Sequence, residues 1–390
     1  MKDEKRKSNF PFGFLGAKSY IHREPLGVVG MISPWNFPMY LSLAPLAGIF
    51  SAGNQVMHKP SEFTPITSEL LKEICDSSFD ETEFATFLGG PDVGAAFTQL
   101  KFDHLLFTGS GNIGKHVMRA ASENLVPLTL ELGGKSPVIV SDSSNIDITA
   151  RRVMFNKTLN AGQICLAPDY VYVHETEKDN FVEACKNQVN EFYSDLKYNP
   201  DYTSVINQKH YERLNGLLAD AKDHGAELVE INPANEDFSQ QESHKIPPTL
   251  VLNPTDEMQI MKEEIFGPLL PIKTYKDINE PINYINKNDK PLGLYYFGNN
   301  KNEEAKVVNS TTSGGVTVND IMGHIQQNEL GFGGVGPSGM GKYDGFDGFM
   351  NFSNNKPIYK QIGFGLDKFL DAIRPPYKGS IEDVLEKLLK

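Results

Sequence analysis

A chain of 390 residues, 39% hydrophobic and 22% charged, is long enough for two or three domains and too apolar for the disordered or fibrous classes. Its 37 basic and 50 acidic residues leave a net charge of −13, which argues against nucleic acid or an anionic membrane as partner. The three cysteines, Cys75, Cys165 and Cys185, lack any short spacing, which argues against a disulfide framework or a thiolate metal site; no metal is expected, and a reducing, cytoplasmic setting fits best. No run approaches the roughly 18 consecutive apolar residues of a membrane span.

Residues 1–18 read as an exposed arm, with Lys5, Arg6 and Lys7 together and then Phe-Pro-Phe-Gly where a signal peptide would be apolar. A strand over 20–24 precedes the apolar run 25–32, the kind that forms a buried parallel strand, closed by the turn Ser33-Pro34. Alternation follows: helix 39–51, strand 55–59, helix 64–76 with Thr64 as N-cap, strand 83–88, helix 93–100 with Asp92 as cap, and strand 104–108. Gly109-Ser-Gly-Asn-Ile-Gly114 then opens a helix to about Ser122. Such alternation implies a doubly wound parallel sheet.

Strands at 128–132 and 137–140 flank Gly133-Gly134, and the helix 147–157 leads to Asn160-Ala-Gly-Gln-Ile-Cys165 before a strand at 170–174. Helices at 178–192, 210–224, 278–286 and 302–310 alternate with strands at 249–252, 269–274, 292–297 and 315–318, giving a second α/β domain; 232–243 is a polar surface loop. Eight glycines between Gly331 and Gly348 are too many for a stable helix or strand, so this stretch should be a loop wrapping a ligand site or a neighbouring domain. In the tail, Ile381, Val384, Leu385, Leu388 and Leu389 share one helical face that suits docking on protein.

Five features bear chemistry. Gly162 lets the backbone bend so that the Cys165 thiol can face a cleft, although a lone cysteine is more often a buried hydrophobe. Glu131 ends a strand before two glycines, where a carboxylate can point into a cleft. Asn36 sits in Pro34-Trp-Asn-Phe-Pro38, where two prolines present its amide as a rigid donor. Glu264-Ile-Phe-Gly-Pro268 offers a carboxylate and a ring. The turn from Gly109 to Gly114 suits phosphate at a helix N-terminus; it is not a Walker loop, because Lys115 is followed by His116, and we do not read it as a dinucleotide fingerprint.

Taken in order, Pro34-Trp-Asn-Phe-Pro38, Lys59-Pro-Ser-Glu62, Phe107-Thr-Gly-Ser110, Glu131-Leu-Gly-Gly-Lys135, Gly162-Gln-Ile-Cys165 and Glu264-Ile-Phe-Gly-Pro268 resemble the aldehyde dehydrogenase superfamily from about residue 20 to 352. Phe332-Gly-Gly-Val-Gly-Pro-Ser-Gly-Met-Gly341, after Val318-Asn-Asp320, resembles its class 3 branch and the coniferyl aldehyde dehydrogenases within it. The resemblance implies two doubly wound parallel α/β domains plus a small oligomerisation arm: an arm at 1–24, a dinucleotide-binding domain at 25–132, a catalytic domain at 133–330, and the glycine-rich loop, arm strand and C-terminal helix at 331–390.

It further implies that Cys165 attacks the aldehyde, that Asn36 and the Cys165 backbone N–H hold the oxyanion, and that Glu131 is the base for thioester hydrolysis. NAD, or NADP, would contact Lys59, Ser61, Glu62, Gly109, Ser110, Gly114, Glu264 and Phe266, with Glu62 favouring NAD. Phe37, Tyr40, Phe155 and Ile164 would line a pocket for an aromatic or medium-chain aldehyde. A homodimer is implied as well. The family's helical segment before residue 20 has no counterpart here, and its absence is expected to expose apolar surface on the first domain. A non-catalytic protein of this fold and a CoA-acylating enzyme stay open as alternatives.

Overall fold

The computed structural model describes residues 2–10 and 12–362, together with Pro375 and Glu386; the amphipathic tail expected at 381–389 lies, but for Glu386, outside the described residues. Residues 26–352 make one compact unit built on two sheets.

The first sheet runs in the order Gly339–Met340, Leu128–Glu131, His104–Thr108, Val28–Ile32, Gln55–Lys59, Phe84–Thr86. Val28–Ile32 is near-continuously apolar and buried because it is paired in parallel on both sides, in register from Val28 opposite Gln55 and from Val29 opposite His104. As the first strand of this sheet it has neighbours that follow it in opposite spatial directions, so the order reverses beside it. In open α/β sheets such a reversal is where a ligand crevice forms, here at the carboxyl ends of Val28–Ile32 and His104–Thr108.

The second sheet runs Glu227–Glu230, Thr249–Leu252, Leu269–Tyr275, Tyr170–His174, Pro137–Val140, Gly293–Phe297, Gly315–Val318. Pro137–Val140 and Gly293–Phe297 are buried at every position, as central parallel strands must be, and so is Thr249–Leu252, one strand in from the edge. One hydrophobic cluster joins the sheets, from Val29, Met31, Ile49 and Val56 to Val138, Val140, Val171 and Val173.

The fold is α/β, as expected, but neither sheet is wholly parallel. Glu227–Glu230 pairs antiparallel with Thr249–Leu252, and Gly339–Met340 antiparallel with Leu128–Glu131. Both are edge strands of two to four residues, too short for periodicity to reveal. The glycine-rich stretch is therefore not all loop: it supplies that edge strand and the start of a helix, Gly345–Asn351. The helix expected with Asp92 as cap instead begins at Pro91 with Gly90 in the cap position; proline's fixed φ suits the first turn and places Asp92 inside it. Thr64 occupies its N-cap position, yet its hydroxyl is buried without a partner.

Residues 1–25 and 353–390 form a separate unit. Its sheet pairs Lys18–Pro25 antiparallel with Ser353–Lys360, from Ser353 opposite Pro25 to Lys360 opposite Lys18, and with Glu4–Arg6 on the other edge. Residues 4–6, expected as plain arm, thus form a strand. Its pairing with a partner thirteen or more positions away is invisible to local pattern.

Candidate active site

The carboxyl ends of the first sheet deliver five of the expected residues. Ile32 leads into the Asn36 turn, Lys59 and Glu131 end their strands, and Thr108 leads into Gly109 and Ser110. Cys165 comes from the second sheet's side, between the helix Ile146–Thr158 and the strand Tyr170–His174.

The approach to Cys165 is tightly determined. Asn160, Ala161 and Gly162 are all left-handed, with φ of 51°, 50° and 71°. A Cβ on Gly162 would stand 2.4 Å from Gly267 O, so no other residue fits. Gln163 is buried and satisfied: its Nε2 donates to Asn160 O and Ser204 O, both at 3.0 Å, and its Oε1 accepts from Ile206 N at 2.9 Å. Ile164 and Leu166 are drawn into the core at 6% and 1% exposure, while Cys165 between them stays partly exposed. Two buried neighbours anchor the loop and leave the thiol at its face. Asn36 Nδ2 donates to Gln163 O at 3.1 Å, which brings the expected oxyanion donor against this loop.

Electrostatics mark the same place. Burial, then the carboxylates of Glu264 and Glu131, pushes the Cys165 thiol up to about 12. Glu131 is 2% exposed, and both its carboxylate oxygens lack a partner. Burial and then Asp344 raise it well above the carboxylate range, with Lys342 opposing. The glycine-rich segment closes over it: a Cβ on Gly333 would lie 3.0 Å from Glu131 Oε1. Such an orphaned, buried carboxyl is costly to keep, which makes it a candidate functional group.

The cofactor candidates divide. Lys59 Nζ pairs with Glu62 Oε2 at 2.7 Å, while Ser61 is buried in the turn, its hydroxyl accepting from Phe63 N at 3.2 Å. Ser110 caps the helix Gly111–Ser122, accepting from Ile113 N at 3.5 Å. Gly109 N donates to Glu131 O at 3.0 Å, and the space where a Gly111 side chain would stand is open. Gly114 is a packing position, where a Cβ would meet Leu132 at 2.9 Å. Contrary to the sequence reading, Gly109, Gly111 and Gly114 carry the G-x-G-x-x-G spacing between a strand and a helix, and strand, turn, open backbone at Gly111 and close helix packing at Gly114 match its mechanics.

Glu264 keeps Oε1 buried without a partner, and its pKa is raised to about 8 by burial, then Asp169. A Cβ on Gly133 would overlap its carboxylate oxygens at 2.2 Å. Phe266 is left-handed at φ 48° and meets Trp35 edge-on at 5.5 Å. A helix N-terminus, an open glycine backbone and an orphaned carboxylate able to accept ribose hydroxyls fit a dinucleotide.

The expected pocket is less unified. Tyr40 is 50% and Phe155 53% exposed, Phe155 against Phe192; Phe37 packs on the core, and Ile164 belongs to the core instead of an open wall, because the anchored loop draws it inward.

Sequence reasoning gave no role to the supports. Lys135 bonds Asp169 and donates to Ile260 O and Glu263 O, both at 2.8 Å, while Asp169 Oδ2 accepts from Ile265 N at 2.9 Å. Arg213 donates to Ile265 O at 2.6 Å. Lys157, buried, donates to Pro168 O at 2.8 Å and has its pKa lowered to about 7 by desolvation. Lys135 within its motif was the one available signal; the others carry none locally. Among the described residues no group of His, Cys, Asp and Glu could hold a metal ion, and no helix is long and apolar enough to cross a membrane.

The cysteine loop, the Asn36 amide bonded to it and the orphaned carboxyl of Glu131 thus belong to one compact unit built on two α/β sheets, and the comparisons with known proteins identify the class as an aldehyde-oxidising oxidoreductase. The chain belongs to the aldehyde dehydrogenase family, whose pattern matches residues 2–358. It is 54% identical over 391 residues to the probable coniferyl aldehyde dehydrogenase of Caulobacter vibrioides, covering 100% of this chain and 80% of that protein. Aldehyde dehydrogenase family 3 member A2 of Rattus norvegicus is 40% identical across 87% of this chain and 68% of its own length, in keeping with a class 3-like branch. Among solved structures, the substrate-bound state of Staphylococcus aureus AldH superposes with a TM-score of 0.90 at 39% identity, covering 100% of this chain and 82% of that one.

Proposed function

We propose that this protein oxidises an aldehyde to the carboxylic acid with NAD, through a thiohemiacetal and a thioester on Cys165. The observation that carries the reading is the Cys165 residue, partly exposed between two core residues, with its thiol influenced by the orphaned Glu131 carboxyl.

With its pKa at about 12 the thiol is not ionised in the free protein at neutral pH, so its proton must leave as the aldehyde arrives. That proton passes to solvent as the sulfur adds to the carbonyl, without the buried Glu131, whose surroundings favour its protonated form. Cys165 Sγ then bonds the carbonyl carbon, and the electron pair of the C=O bond moves to oxygen. Asn36 Nδ2 and the Cys165 N–H stabilise that oxyanion. When bound, the nicotinamide supplies the hydride acceptor that turns the thiohemiacetal into a thioester. In its ionised form Glu131 takes a proton from water; the hydroxide adds to the thioester carbon, the C–S bond breaks with its electron pair on sulfur, the proton passes from Glu131 to that sulfur, and the acid leaves with Cys165 restored.

The cofactor would lie with its phosphates at Ser110 and the following helix, its nicotinamide ribose on Glu264 and its ring beside Phe266. Lys59 and Glu62 would hold the adenosine ribose, and the Glu62 carboxylate repels a 2′-phosphate, favouring NAD over NADP. An aromatic aldehyde such as coniferyl aldehyde, or a medium-chain one, suits the aromatic set Phe37, Tyr40 and Phe155. We take the working form to be a cytoplasmic homodimer.

Absorbance of reduced cofactor tests the mechanism. Cys165→Ala should abolish oxidation while NAD still binds. Glu131→Gln should leave one burst of reduced cofactor per site and slow steady turnover by about 100-fold or more. Full steady turnover in Glu131→Gln would remove it as base, and turnover that requires CoA would make the enzyme acylating.

A further inference from the structure

Asn160 has no role in the mechanism above, yet it is bonded into the oxyanion site. Its Nδ2 donates to Asn36 O at 3.0 Å and to Gln163 O at 3.3 Å, while Asn36 Nδ2 donates to that same Gln163 O at 3.1 Å. The two amides are crossed, each side chain holding the backbone of the other's segment.

An amide NH2 carries two protons. At Asn36 the bond to Gln163 O occupies one and so aims the second. The bond from Asn160 fixes the Asn36 main chain, so the donor is held at both ends.

The backbone of the loop points the same way. Asn160 and Ala161 have φ of 51° and 50°, a region that asparagine tolerates and alanine disfavours. Such strain persists where surroundings over-determine it, and it gathers at functional sites. Here Asn160 O accepts from both the N–H of Gln163, at 3.1 Å, and its Nε2, at 3.0 Å.

We infer that Asn160 is a positioning residue for the oxyanion donor: through its bond to Asn36 O it holds the free proton of the Asn36 amide on the oxygen of the thiohemiacetal. It acts through Asn36 and touches no reacting atom. The inference rests on the reading that Asn36 binds the oxyanion.

Asn160→Gly tests it, because glycine keeps the left-handed backbone and removes only the amide. The rate of the first burst of reduced cofactor should fall by about 10- to 100-fold, against about 100- to 1,000-fold for Asn36→Ala. Alkylation of Cys165 by iodoacetamide, which develops no oxyanion, should keep its wild-type rate and pH profile. The double variant should be no slower than Asn36→Ala alone.

A full burst rate in Asn160→Gly beside a slow Asn36→Ala overturns the inference alone. A full burst rate in Asn36→Ala overturns the oxyanion reading and the inference with it. Alkylation slowed as much as the burst means a displaced loop and also overturns the positioning role. Should the glycine variant not fold, Asn160→Asp, which keeps the shape but turns an acceptor on two carbonyls, is judged by the same three measurements.

Discussion

At Glu264 burial sets the proton affinity of a residue proposed to bind the cofactor. Its pKa of about 8 lies above that of an unfolded-chain glutamate, so between about pH 4.5 and 8 the folded protein retains a proton that the unfolded chain has lost. In that window stability falls as pH rises. On the proposed role of Glu264, a ribose hydroxyl would donate to the ionised form, so cofactor binding would gain what folding loses. NAD affinity should strengthen by about tenfold from pH 7 to pH 9, as the ionised fraction grows from about a tenth to about nine-tenths. Glu264→Gln should bind more weakly at pH 9 and show no such trend; titration followed through the fluorescence of Trp35, the single tryptophan, reads both. A pH-independent affinity in the unmodified protein would deny Glu264 that role. At this scale the sequence named Glu264, Glu131 and Cys165 through their motifs. It could not show that two of the three are carboxyls with orphaned oxygens, because desolvation depends on chain distant in sequence.

Among the elements, the loop from Leu159 to Cys165 has the least freedom. Gly162→Ala combines a positive φ with a Cβ 2.4 Å from a backbone oxygen, and backbone cannot yield as a flexible side chain does. We expect a loss of at least about 1–3 kcal/mol, seen as a lower urea midpoint at unchanged slope, together with loss of aldehyde oxidation. Wild-type stability in this variant would mean that the loop relaxes freely. The sequence marked this glycine because a bend was needed before the cysteine. The neighbouring left-handed turns at Asn160 and Ala161 had no such mark, since nothing in the residue type Ala announces them. Long apolar strands such as Val28–Ile32 were legible from composition; the edge strands Glu227–Glu230 and Gly339–Met340 were not, because pairing partners alone make them strands.

Across the molecule, the cofactor candidates on the first sheet and the nucleophile on the second belong to one compact unit, so cofactor binding should stabilise both together. At NAD a hundredfold above its dissociation constant the folded state should gain about 2.7 kcal/mol, a melting rise of several degrees. NADP at the same concentration should raise it less, and Glu62→Gln should narrow the gap by removing the charge that meets the 2′-phosphate. A larger shift with NADP than with NAD would reverse the cofactor preference.

By itself the sequence singled out the residues proposed to carry chemistry and showed that strands and helices alternate, because side-chain type and local periodicity are written residue by residue. Tertiary structure alone decided how those residues meet. The reversal of strand order beside Val28–Ile32 creates the crevice, the core draws in Ile164 and Leu166 so that Cys165 is left at the face, and the glycine-rich segment folds back to bury Glu131. Each of these depends on pairing or burial between stretches far apart in the chain, where no local pattern reaches.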